Sequence, residues 1–202
     1  MRRRVLITFK MKTRMYENLQ VSGAYRKMAS QMFGEIHDLA KEKYDILYKL
    51  IGGWSESRTG WGAAECQMGN ILKLAKGSLE GRKILDLGCG SINSTGGEYS
   101  GPGRRGFEPW LCRAMHELGI DHLGIDVGGN PGEEFNFHQA DLIQPGSLDF
   151  IGDHSIDIAN ASMFFSSPNL AGMPGNRRIW DNLLPQLERV VKQEGFFLYS
   201  QL

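Results

Sequence analysis

The sequence predicts an α/β fold: a mostly parallel sheet of about five strands with helices on both faces, preceded by an N-terminal helical cap. Two observations carry this. From Lys83 onward, short apolar runs alternate with helical stretches, the pattern of strands joined by crossover helices. Over residues 24–50, apolar residues recur at threes and fours, the helical period.

The elements follow in order. Residues 1–23 read as a basic leader, in which Val5–Phe9 is an isolated β-prone run. In the cap, residues 24–80, Met28, Met32, Ile36, Leu39, Tyr44, Leu47 and Leu50 mark a helix that Gly52-Gly53 stops. A second helix is expected over 63–75. The core is residues 81–202. Its strands are expected at 83–87, 122–126, 135–139, 156–163 and 196–200, and its helices at 109–118 and 177–192, the latter with Pro185 inside it. The long glycine-rich stretch 91–106 connects the first core strand to its helix.

Composition sets outer limits. The chain has 202 residues, 41% hydrophobic and 23% charged, with a formal net charge of zero, as a soluble globular protein does. Its charge is uneven: residues 1–30 carry Arg2, Arg3, Arg4, Lys10, Lys12, Arg14, Arg26 and Lys27 against Glu17 alone. Such an arm either steers a polyanion or is simply solvated. Three cysteines without a CxxC pair argue against a disulfide framework and a zinc site, and the five histidines share no ligand spacing, so no metal is expected. There is no membrane span and no signal-peptide core, and the expected location is cytoplasmic by default.

The chemistry concentrates in Lys83-Ile-Leu-Asp-Leu-Gly-Cys-Gly90. An apolar strand runs into Asp86, then Gly88 and Gly90. Ligands of parallel sheets bind where strands end, and glycines there let the backbone turn and approach a ligand closely. Leu123-Gly-Ile-Asp126 is another strand ending in an acid, Phe137-His-Gln-Ala-Asp141-Leu142 a third acid in series, and Ile156-Asp-Ile-Ala-Asn-Ala-Ser162 a fourth strand.

Together these four motifs, in order over residues 80–200, resemble class I, Rossmann-like S-adenosylmethionine-dependent methyltransferases. The resemblance implies that S-adenosyl-L-methionine is the cofactor, contacted by Asp86, Gly88, Gly90, Asp126, Asp141 and Leu142. In the family the second acid holds the ribose hydroxyls and the third accepts from the adenine amino group. It implies in-line methyl transfer to an acceptor the sequence does not name, with no identifiable catalytic base. Asn160, Ser162, Arg104 and Arg105 are substrate-side candidates. Trp54, Arg58 and Trp61 are candidates either to roof the cofactor or merely to pack.

Three departures stand out. Ile92 replaces the family's common third glycine, the 91–106 segment is far longer than usual, and the sequence ends after strand 5, where the family adds a sixth and a seventh. A nicotinamide dinucleotide fits less well: its G-x-G-x-x-G would need glycine at Asn93, and Asp86 would sit badly beside a pyrophosphate. Ser166-Ser-Pro-Asn169 is not the tetrapeptide of amino-methylating relatives. Two other readings remain: a non-catalytic methyltransferase-like subunit, and an RNA or DNA methyltransferase using the basic arm. The apolar edge of strand 5 is expected to be covered by another chain, an oligomer contact, or residues 5–9.

Overall fold

The computed structural model describes residues 14–17, 21–49, 60–91, 108–162, 164 and 176–200. It is an α/β fold built on a six-stranded, wholly parallel sheet. The strands are β1 (Arg14–Glu17), β2 (Ile84–Leu87), β3 (His122–Asp126), β4 (Phe137–Gln139), β5 (Ile156–Ser162) and β6 (Val191–Ser200). The helices are α1 (Gly23–Lys49), α2 (Trp61–Leu74), α3 (Trp110–Glu117) and α4 (Asn176–Val190). The spatial order is β1-β6-β5-β2-β3-β4. The chain winds outward from β2 through β3 to β4, then returns to the other side of β2 for β5 and β6. This is the Rossmann-like arrangement, and its direction reverses between β2 and β5.

Alternation along the strands splits the core into two layers. Ile84 and Leu198 face a cluster with Phe33 and Ile36 of α1, Ile71 and Leu72 of α2 and Met115 of α3. Leu85, Leu87, Ile125 and Phe197 face Leu183, Leu184 and Leu187 of α4. Continuous apolar strands are what a sheet covered on both faces requires. The cap is therefore one of the two covering layers and not a separate lobe. Pro185 lies within α4, and the chain passes into β6 with no intervening loop. Val191 pairs with Ile156, but the next paired residue is Phe196, against Ile158, so the strand carries an irregularity over Lys192–Gly195. Gly195 is required there, because a Cβ would stand 2.8 Å from the Asp157 carbonyl oxygen.

The edge of β6 is covered over Phe196–Tyr199; residues 5–9 lie outside the described residues. β1 covers it, with Arg14 to Glu17 in parallel register against Phe196 to Tyr199. Part of the expected leader thus belongs to the sheet. Polar β1 supplies backbone hydrogen bonds to an apolar strand that would otherwise be an open edge.

A second feature joins the layers on the cap side. The Arg113 side chain is wholly buried between Glu108 and Glu133: Nη1 donates to Glu108 Oε2 at 2.7 Å, and Nε to Glu133 Oε1 at 3.0 Å. Its guanidinium lies over the rings of Trp110 and Tyr44, at 4.3 and 4.7 Å from their centroids. Tyr44 in turn donates to Glu117 at 2.9 Å. A buried cation is tolerable only when paired in this way, so the cluster fastens α1 to α3 and to the turn before β4. Among the described residues no helix is long and apolar enough to cross a membrane.

Candidate functional site

Asp86, Gly124, Asp126, Asn160 and Ser162 fall on one face of the sheet by alternation, the face that α3 covers, and four of them stand at or near the carboxyl ends of β2, β3 and β5. The crevice between β2 and β5 is where the winding reverses. Asn160 bridges it, donating from Nδ2 to Asp86 Oδ1 at 2.7 Å, and Ser162 donates from Oγ to Asn160 Oδ1 at 2.7 Å. This chain of side chains is buried throughout. The Ser162 bond fixes which way the Asn160 amide points, and so presents an N–H to the acid.

Asp86 is only 4% exposed. Burial pushes its carboxyl up to about 7, against the stabilising hydrogen bonds of Asn160 and Cys112, while the Asp126 charge adds to the rise. It has no cation beside it in the described structure. A buried acid of that kind near neutrality is a group suited to a cationic ligand.

The turn after β2 hooks onto β3. The Gly88 and Cys89 amides both donate to the Ile125 carbonyl, at 2.8 and 3.1 Å. Gly88 and Gly90 have φ of +67° and +96°, which L side chains resist. Asp126 closes the turn: Oδ2 accepts from the Gly90 amide at 3.0 Å and Oδ1 from the Gly128 amide at 2.9 Å. Burial raises its pKa, partly offset by these amides. Asn130 Nδ2 donates to the Gly90 carbonyl at 3.1 Å, so Gly90 is held at both its polar atoms.

Beneath the acids lie two thiols. Cys89 and Cys112 are buried, Cys89 Sγ donates to the Gly90 carbonyl at 3.3 Å, and burial pushes both pKa values up. Cys112 Sγ reaches Asp86 Oδ2 at 3.7 Å. Both sulfurs fit because residue 124 is glycine: a Cβ there would be 2.7 Å from Cys112 Sγ and 2.9 Å from Cys89 Sγ. Neither thiol is poised as a nucleophile, since the thiolate is disfavoured.

Asp86, Gly88, Gly90, Asp126, Asn160 and Ser162 are thus assembled around the β2 and β5 tips. Asp141 follows β4, next to Ala140, whose amide donates to the Asp126 carbonyl at 3.0 Å. Asp141 Oδ1 accepts from the Ile143 amide at 3.1 Å and its Oδ2 from Gln144 Nε2 at 3.1 Å, the geometry of a turn-forming aspartate. Leu142 is buried in the α4-side core. Trp61 also packs, 4.7 Å from the Phe33 ring and 5.9 Å from that of Trp110. Arg104, Arg105, Trp54, Arg58 and the basic residues 2–12 lie outside the described residues. Among the described residues no group of three or more His, Cys, Asp or Glu side chains could hold a metal ion.

Sequence reasoning missed Ser91, Gly128, Asn130 and Phe164. The Gly128-Gly129 pair one residue past Asp126 was the available signal for a close approach. Phe164 lies against Gly88: a Cβ on that glycine would be 2.6 Å from Phe164 Cδ2.

The fold and site define a class: a Rossmann-like α/β domain with a buried acid at its switch point. No protein-family model and no curated protein sequence matches the chain.

Proposed function

We propose that the chain binds S-adenosyl-L-methionine and transfers its methyl group to an acceptor. The observation that carries this is buried Asp86 at the β2–β5 reversal, flanked by two positive-φ glycines and faced by a second acid, Asp126, at the neighbouring strand tip. The donor set fits the cofactor. Ionised Asp86 would hold its cationic amino group, and Asp126 keeps lone pairs free for its hydroxyls while its other positions brace the loops. Both acids disfavour a pyrophosphate. The cofactor supplies a reactive sulfonium methyl, displaced in line by the acceptor. The residues of the chain supply alignment, which contributes up to ~7–11 kcal/mol where reacting groups are well oriented. Asn160, held by Ser162, keeps Asp86 in place, and the buried surroundings strengthen its attraction for a cation.

A second reading is a non-catalytic binding subunit. Phe164 bears on it, because its ring lies against Gly88 in the turn after β2. Calorimetric titration with S-adenosylhomocysteine, using the whole chain and its Asp126→Ala and Phe164→Ala variants, separates the two. The enzyme reading expects micromolar binding, lost in Asp126→Ala and tightened in Phe164→Ala, with methyl transfer to some acceptor pool. Binding without any transfer supports the subunit. Silence toward adenosyl compounds together with tight binding of a nicotinamide dinucleotide removes both.

A further inference from the structure

We propose that the buried Arg113–Glu133 ion pair positions the turn after β2, acting on Gly90 through the loop that follows β3. This rests on the adenosyl reading above, in which that turn seats the ligand, and gives it two positioning residues away from the strand tips.

The relay is continuous. Arg113 Nε reaches both Glu133 carboxylate oxygens, at 3.0 and 3.2 Å, and Nη2 joins it at Oε1. The two side chains are 0% and 1% exposed, so the fork is sealed from water. Glu133 closes a four-residue turn, Asn130-Pro131-Gly132-Glu133. Its amide donates to the Asn130 carbonyl at 3.3 Å, and Gly132 holds a φ of +84°. Proline second and a positive-φ glycine third are the residues a type II turn asks for, and the proline ring stiffens it. Asn130 is thereby tied to Glu133, and its Nδ2 donates to the Gly90 carbonyl at 3.1 Å. The Gly90 amide ends the path on Asp126 Oδ2 at 3.0 Å.

Stability alone does not call for this pair, because apolar residues of similar volume often serve a core as well. A planar guanidinium adds direction, since its donors meet a carboxylate in a fixed orientation. Trp110 and Tyr44 hold that plane from their ring faces. The neighbouring residue on α3 is Cys112, whose sulfur reaches Asp86 Oδ2. One helix therefore bears both on the acid that precedes the turn and on the glycine within it.

The test compares the whole chain with Glu133→Gln, Asn130→Ala and their double variant, by S-adenosylhomocysteine titration and by amide exchange. Each single variant should bind the probe about tenfold more weakly, the effect of one hydrogen bond. The double variant should bind no more weakly than Asn130→Ala, because both changes break one path. The Gly90 amide should exchange roughly tenfold faster in Glu133→Gln, beyond any change at Phe197 and Leu198, which report global stability from within β6. Losses that add in the double variant, or a Gly90 amide that moves only as Phe197 and Leu198 move, overturn the proposal. Should Glu133→Gln fail to fold, Gly132→Ala takes its place: it strains the turn, leaves the ion pair intact and puts its Cβ in open space. The same two readings then decide. Failure of the unsubstituted chain to bind S-adenosylhomocysteine overturns the adenosyl reading, and the Gly90 exchange alone then decides the relay.

Discussion

Asp86→Asn should make the protein more stable at pH 8 and useless as a binder of cations. The isosteric amide keeps an oxygen for Asn160 Nδ2 and removes only the charge. The folded pKa of Asp86 is raised from 3.8 to about 7, chiefly by burial. A raised acid is unpenalised below its unfolded value, and its contribution to stability is lost as pH rises through the folded value. At about 1.4 kcal/mol per pH unit, the ceiling on the penalty above neutrality is on the order of 4 kcal/mol. The substituted amide gains no good partner beyond the Cys112 sulfur, so about half should be realised, roughly 2 kcal/mol or about 4–8 °C in Tm for a domain of this size. Thermal unfolding of both proteins at pH 4, 6 and 8 provides the check. The two curves should nearly coincide at pH 4 and separate progressively by pH 8. In parallel, S-adenosylhomocysteine should bind the unsubstituted chain about tenfold more weakly at pH 6 than at pH 8, as the ionised fraction of Asp86 falls. A variant equally destabilised at every pH would refute the reasoning, since Asp86 would then be a structural hydrogen-bonding residue without a charge penalty.

Gly124→Ala should cost about 1–3 kcal/mol by overpacking against Cys89 and Cys112, and Cys112→Ala in the same chain should recover most of that loss; denaturant titration of the two single variants and the double variant reads the coupling. Proline at both Met15 and Tyr16 removes two consecutive backbone donors, one of which faces β6 whichever register parity holds. The exposed edge should then show faster amide exchange at Phe196–Tyr199 and concentration-dependent association by light scattering; a monomer with unchanged exchange would show that β1 does not guard that edge.

The parts legible in the sequence were those encoded locally. β2 could be read because an apolar run meets an acid and two glycines within eight residues, and both strand period and turn chemistry are local properties. Alternation then carried Asp86, Asp126, Asn160 and Ser162 to one face. What escaped depends on long-range meetings. Arg113 is a charged residue on a short helix and looks solvated in one dimension; it is buried because Glu133, twenty residues on, folds back onto it. β1 carries no apolar alternation of its own, and its strand character comes from the open edge of β6. Asp141 and Leu142 follow β4, where the carboxylate caps a turn and the leucine enters the α4-side core.

The Asp86 carboxylate, the Cys89–Cys112 pair and Gly124 form one physical unit, and their arrangement explains why the acid is held at neutrality instead of being driven higher. Burial in an apolar layer favours the protonated form, as it chiefly does for the two thiols. Asn160 and Cys112 each give Asp86 one donor, which partly stabilises the ionised form without neutralising it. A lysine or arginine in either place would depress the pKa and occupy the acid permanently. Two weak neutral donors instead leave the carboxylate near the balance point, where an arriving cation can take it over and displace a proton. The missing Cβ at residue 124 is what lets the Cys112 sulfur reach that acid. The sheet therefore tunes the charge it offers through a glycine one strand away.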